Sequence, residues 1–133
     1  MTTDVPYQQR VLVVDDDSDL AEITADCLQD FGLLVQTAFT VPKAKQEMSK
    51  GSFDYLITDL SMPDGGGLEL IHWVQSQALG NGVGLVIVSG HVDFDRTRIK
   101  GTEVQMLPKP YTRAQLQELC DKMKKFRGAQ MVG

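Results

Sequence analysis

Two stretches of this chain, VLVV at 11–14 and VGLVIVSG at 83–90, are apolar almost without a break. A strand with one wet face alternates apolar and polar residues, so a short unbroken run reads as a strand covered on both sides. Parallel sheets meet that condition, because their crossover helices lie against both faces. The segments between the runs carry helical spacing instead. Asp15, Asp16 and Asp17 follow the first strand, Ser18 is placed to cap a helix, and its apolar stripe runs Leu20, Ile23, Cys27, Leu28 and Phe31 to a stop at Gly32.

The alternation then repeats. LLVQTA (33–38) is a second strand, followed by a short helix with Thr40 as cap, Pro42 in its first turn and Gly51 as its end. FDYLITD (53–59) is the third strand. A third helix over 68–77 turns Leu70, Ile71 and Val74 inward. After the fourth strand the pattern weakens to a short polar helix near 93–100. VQML (104–107) makes a fifth strand, and YTRAQLQELCDKMKKF (111–126) a terminal helix with stripe Leu116, Leu119, Cys120 and Met123. Five such units define an α/β domain, a doubly wound five-stranded parallel sheet with helices on both faces. Pro108 and Pro110 put the fifth strand at an edge, since proline donates nothing to a ladder. That favours the flavodoxin-like order 2-1-3-4-5, whose ligand crevice opens where the first and third strands end.

Length and charge remove several classes of function. The 133 residues suffice for one domain, expected over 1–133 with a core of about 10–126 and short flexible tails. A formal charge of -5 without clustered Lys and Arg gives no footprint for direct nucleic-acid binding. No run approaches the ~20 apolar residues of a membrane span, and the first ten residues lack an apolar leader core, so no membrane insertion and a cytoplasmic protein are expected. Cys27 and Cys120, without CxxC spacing, read as small buried apolar residues. His72 and Trp73 read as surface and partial packing, and KMKKFR near the C-terminus as a solvated helix end.

The chemistry gathers at the strand ends. Asp15 and Asp16 end the first strand and Asp59 the third, so three carboxylates meet at one crevice. Like charges at that range ionise together only when a cation neutralises them. A hard divalent ion suits them, magnesium above all, which takes few carboxylates and a phosphoryl oxygen readily. Taken alone, the aspartate run reads as a solvated turn; its coincidence with Asp59 argues for a site. Ser89 at the end of the fourth strand and Lys109 after the fifth add a hydroxyl and an ammonium at the same rim. Together they suit phosphoryl transfer, with Asp59 as nucleophile.

The motifs VVDD (13–16), ITDLSMPDGGG (57–67), VIVSG (86–90) and PKP (108–110), each closing an expected strand, resemble the receiver domain of bacterial two-component response regulators. The likeness covers about 10–126, and the closest type is the standalone chemotaxis regulator. It implies a signalling switch that is not an enzyme on external substrates, yet catalyses its own phosphoryl transfer and dephosphorylation. It implies Asp59 as the acceptor from a sensor histidine kinase or phosphotransfer protein, with a downstream protein target. It further implies Mg2+ held directly by Asp16, Asp59 and the Ser61 backbone carbonyl, and through water by Asp15. Ser89 would hydrogen-bond the phosphoryl oxygens and Lys109 would pair with them. Met62, Pro63 and Gly67 would shape the loop beyond the acceptor, and Lys109–Pro110 would be cis. Asp17 is expected to do little.

Two features depart from the family. Where its switch places Tyr or Phe, three residues before the lysine, this chain has Met106, the expected partner of Ser89 in switching. The segment HVDFDRTRIKGTEVQML (91–107) has few apolar anchors, so its helix is expected to be abbreviated or mobile. Ser61 and His91 are candidates for tuning the phosphoryl group. Two other readings stay open. One is a small phosphatase of the haloacid-dehalogenase type, whose nucleophile ends the first strand in a DxDx[TV] pattern, where this chain has Asp19 at the last position. The other is a degenerate receiver that acts without phosphorylation, which Met106 permits.

Overall fold

The computed structural model describes residues 8–60, 62, 66–76, 83–90 and 104–132. Its strands are β1 (Arg10–Val14), β2 (Leu34–Ala38), β3 (Tyr55–Asp59), β4 (Gly84–Ser89) and β5 (Val104–Pro108). Its helices are α1 (Ser18–Asp30), α2 (Val41–Lys50), α3 (Gly66–Ser76) and α4 (Arg113–Val132). All neighbouring strands are parallel, in the expected order β2-β1-β3-β4-β5, with β5 at an edge as the prolines suggest. The expected helix at 93–100 falls outside the described residues.

Because β1 and β3 are buried on both faces, alternate residues of each strand feed two separate cores. Leu12, Val14, Leu56 and Ile87 face α2 and α3, meeting Ala44, Met48, Leu70, Ile71 and Val74. Val11, Val13, Tyr55, Ile57, Val86 and Val88 face α1 and α4, meeting Ala21, Leu28, Leu116, Leu119, Cys120 and Met123. Each fully buried aliphatic side chain contributes about 1.5–3 kcal/mol relative to exposure, so the two layers dominate the stability. Thr40 caps α2 by accepting from Lys43 N at 3.2 Å, with Pro42 in its first turn and Gly51 at its end, as expected. Thr112 and Gln115 cap α4 reciprocally, Thr112 N donating to Gln115 Oε1 at 2.8 Å and Gln115 N to Thr112 Oγ1 at 3.1 Å.

Helix α1 differs from expectation at both its cap and its face. Asp17, not Ser18, is the N-cap, its carboxylate accepting from Leu20 N at 3.1 Å. Ile23 is 60% exposed, and the buried residues are instead Ala21, Thr24, Ala25 and Leu28. The small residues are inside because α1 lies close to the sheet and α4, where a branched side chain one position away turns outward. Cys27 is only half-buried, while Cys120 is fully buried, and both are free thiols. Gly32 ends α1 with φ +96°, a conformation that side chains oppose. Helix α4 runs on to Val132, past the expected end at Phe126. His72 is exposed and Trp73 partly buried against the α2–α3 core.

Candidate functional site

Strand register assembles the site. Val14 pairs with Thr58, so Asp15 and Asp59 stand side by side one step further on. Asp59 pairs with Val88, which brings Ser89 to the same level, and Ser89 pairs with Pro108, which places Lys109 beyond it. Backbone bonds extend the ladder past the strand ends: Leu60 N donates to Val88 O at 3.1 Å and Lys109 N to Ser89 O at 3.0 Å. Residues from four strands thus line one rim of the sheet.

The charges there are tightly coupled. Lys109 Nζ lies 2.8 Å from Asp59 Oδ2 and 3.0 Å from Asp15 Oδ2, joining the two carboxylates. Asp15 and Asp59 are buried, at 3% and 4% exposure, whereas Asp16 faces solvent. Burial raises the Asp15 pKa above its ordinary value, against the opposing pull of the Asp17 N–H, which donates to Asp15 Oδ1 at 2.9 Å, and of Lys109. For Lys109 burial works downward, but the hydrogen bonds to Asp59 and Asp15 outweigh it and hold the ammonium above its usual range. Asp15, Asp16 and Asp59 offer carboxylate oxygens within 4.8 Å of one another. A donor set of hard oxygens alone, two of them drawn from buried carboxylates, fits a hard divalent cation.

The approach of α3 to the end of β3 depends on Gly67. A Cβ there would lie 2.0 Å from Asp59 O and 3.0 Å from Thr58 Oγ1. No residue with a side chain fits, so α3 begins in backbone contact with the end of β3, and Gly67 N donates to Leu60 O at 3.1 Å. Met62 is buried in the core beneath. The Lys109–Pro110 bond is cis, as anticipated. Met106, paired with Ile87, is half-buried against the α2–α3 core. Ser61 and His91 lie outside the described residues, as does most of the segment expected to be abbreviated.

The sequence reading did not find Tyr111 and Thr24. Their hydroxyls share a hydrogen bond 2.6 Å long, between the loop after Lys109 and the buried face of α1. Burial raises the Tyr111 phenol above its usual range, with the Thr24 bond pulling it back. The available signal was a threonine, 1% exposed here, within an otherwise apolar helical face.

A five-stranded parallel sheet of this order, with an acidic rim joined by a lysine, defines a flavodoxin-like α/β domain with an acidic crevice at the carboxyl ends of its strands. Residues 11–121 match the response regulator receiver domain, and the chain belongs to that family. It is 30% identical over 112 residues to the response regulator protein PilR of Pseudomonas aeruginosa, covering 84% of this chain but only 25% of PilR. It is 26% identical to the chemotaxis protein CheY-3 of Vibrio cholerae, over 86% of this chain and 90% of that one. The solved CheY-like receiver domain from Methylobacillus flagellatus shares the fold, with a TM-score of 0.79 at 24% identity over 88% of this chain and 99% of that one. That family membership favours a receiver over the phosphatase reading.

Proposed function

We propose that this receiver domain takes a phosphoryl group onto Asp59 from a sensor histidine kinase or phosphotransfer protein in the cytoplasm, and that the modified rim changes the binding of a downstream protein. The observation that carries this reading is the Lys109 ammonium between the buried carboxylates of Asp59 and Asp15, 2.8 Å and 3.0 Å away. A cation so placed neutralises the acceptor before reaction and meets phosphoryl oxygens after it. An Asp59 carboxylate oxygen attacks phosphorus, the bond from phosphorus to the donor breaks, and the donor leaves with the electron pair. Lys109 then pairs with the new oxygens and Ser89, buried at the adjacent strand end, donates its hydroxyl. Asp15, Asp16, Asp59 and the Ser61 carbonyl would hold Mg2+, which supplies charge neutralisation for the transferring group. In dephosphorylation water attacks phosphorus, the bond from phosphorus to the Asp59 oxygen breaks, the carboxylate takes the electron pair, and inorganic phosphate leaves. Among the described residues no helix is long and apolar enough to cross a membrane.

Incubation with acetyl phosphate and Mg2+ should add one phosphoryl mass that hydroxylamine removes, as expected of an acyl phosphate. Asp59→Ala should abolish the adduct, and Asp16→Ala should weaken both Mg2+ binding and labelling. A parent that gains no mass, or an Asp59→Ala variant labelled as well as the parent, would leave a domain that signals without phosphorylation.

A further inference from the structure

Lys109 has to hold one backbone position while its ammonium exchanges a carboxylate for a phosphoryl group. Upstream, its N–H is tied to Ser89 O at 3.0 Å. Downstream, Thr112 is fixed by the reciprocal cap of α4. Between them stands Tyr111, partly buried against the α1–α4 core, with its hydroxyl 2.6 Å from that of Thr24. Thr24 is 1% exposed on α1, the helix that starts directly after Asp15, Asp16 and its cap Asp17. The lysine loop and the acid-bearing segment are therefore joined by charge at the rim, through Lys109 Nζ and Asp15 Oδ2 at 3.0 Å, and by neutral hydroxyls behind it, with Arg113 at the start of α4 adding an exposed pair to Asp30 at the far end of α1.

The charged link is the one that phosphorylation must loosen, because the ammonium turns toward the new phosphoryl oxygens. The hydroxyl link involves neither charge nor the reacting atoms and persists through the change. We infer that the Thr24–Tyr111 bridge is a positioning device for Lys109, fixing the lysine loop against α1 so that the ammonium stays in register with Asp59 when its contact with Asp15 is given up. Tyr111 and Thr24 touch no reacting group; they act through the lysine. The inference rests on the acceptor reading of Asp59.

The test is a double-mutant cycle with Tyr111→Phe and Thr24→Val, each removing a hydroxyl while keeping the packing. Rates of acyl phosphate formation from acetyl phosphate are followed by mass spectrometry, and Mg2+ affinity by calorimetry. Each single variant should slow labelling about fivefold, the weight of one neutral hydrogen bond, and the double variant should be no slower than either. Mg2+ affinity should stay within about twofold, because the aspartates are untouched, and Thr24→Ser should restore the rate. Labelling at the parental rate in both single variants, additive losses, or a fall in Mg2+ affinity that parallels the rate would overturn the inference while Asp59 remains the acceptor. A parent that takes no phosphoryl group overturns the acceptor reading and the bridge's role with it.

Discussion

Replacing Gly67 by alanine tests whether β3 and α3 are held in backbone contact. The added Cβ would sit 2.0 Å from Asp59 O and 2.8 Å from Asp59 C, where ordinary contact begins at 3.4 Å. The obstacle is main chain, not the flexible end of a side chain, so relief requires α3 to back away from β3 by more than an ångström. That movement would pull on Gly67 N–H···O=C Leu60 and on the packing of Leu70, Ile71 and Val74, all buried beneath α3. Overpacking of a tight core costs about 1–3 kcal/mol, and a clash with backbone belongs at the upper end, about 3 kcal/mol. In a domain of this size the melting temperature should fall by roughly 10 °C. Urea unfolding read by the fluorescence of Trp73, the only tryptophan and itself on α3, reports the change directly. Gly90→Ala is the control, because a Cβ there meets nothing within 4 Å. If Gly67→Ala unfolds within about 0.5 kcal/mol of the parent, the steric account of the α3 start is wrong.

Two further outcomes follow from the same rim. Burial holds the Asp15 pKa above its ordinary value, so the native state binds its proton more tightly than the unfolded chain does. Its contribution to stability is present below the unfolded pKa and is lost as pH rises through the folded one. Asp15→Asn should therefore gain stability relative to the parent as the pH rises through and above the ordinary carboxylate range, measured as the difference in urea midpoints; a parent that gains on the variant over that rise contradicts the burial argument. Lys109, raised above 10.5, loses its contribution only in strong alkali, so it does not interfere in this window. Asp17→Ala removes the N-cap of α1 and should lower stability by about 1 kcal/mol without changing Mg2+ affinity. Calorimetry showing weaker Mg2+ binding in that variant would move the acidic pair by one residue.

The acidic crevice was legible because each of its members ends a strand or follows one within two residues. An unbroken apolar run locates its own terminus, and in a parallel sheet all termini of one sense share a rim, so Asp15, Asp59, Ser89 and Lys109 needed no knowledge of side-chain packing. The capping of α2 was equally local, a threonine followed by a proline. The cap of α1 was misplaced by one residue because Asp17 and Ser18 have similar propensity for the position, and only the backbone geometry separates them.

The sequence by itself determined the five strands, their parallel sense, the edge position of the fifth from its prolines, and the identity of the rim residues, all of which follow from local periodicity and turn chemistry. Tertiary structure alone decided which face of α1 is buried, turning Ile23 out and Thr24 in, because that depends on how closely α4 and the sheet approach the helix. It alone joined Thr24 to Tyr111 across 87 positions, and set one lysine between two buried carboxylates. Pairings between distant side chains leave no periodic trace in the chain; they exist only once the packed layers have fixed where each side chain can reach.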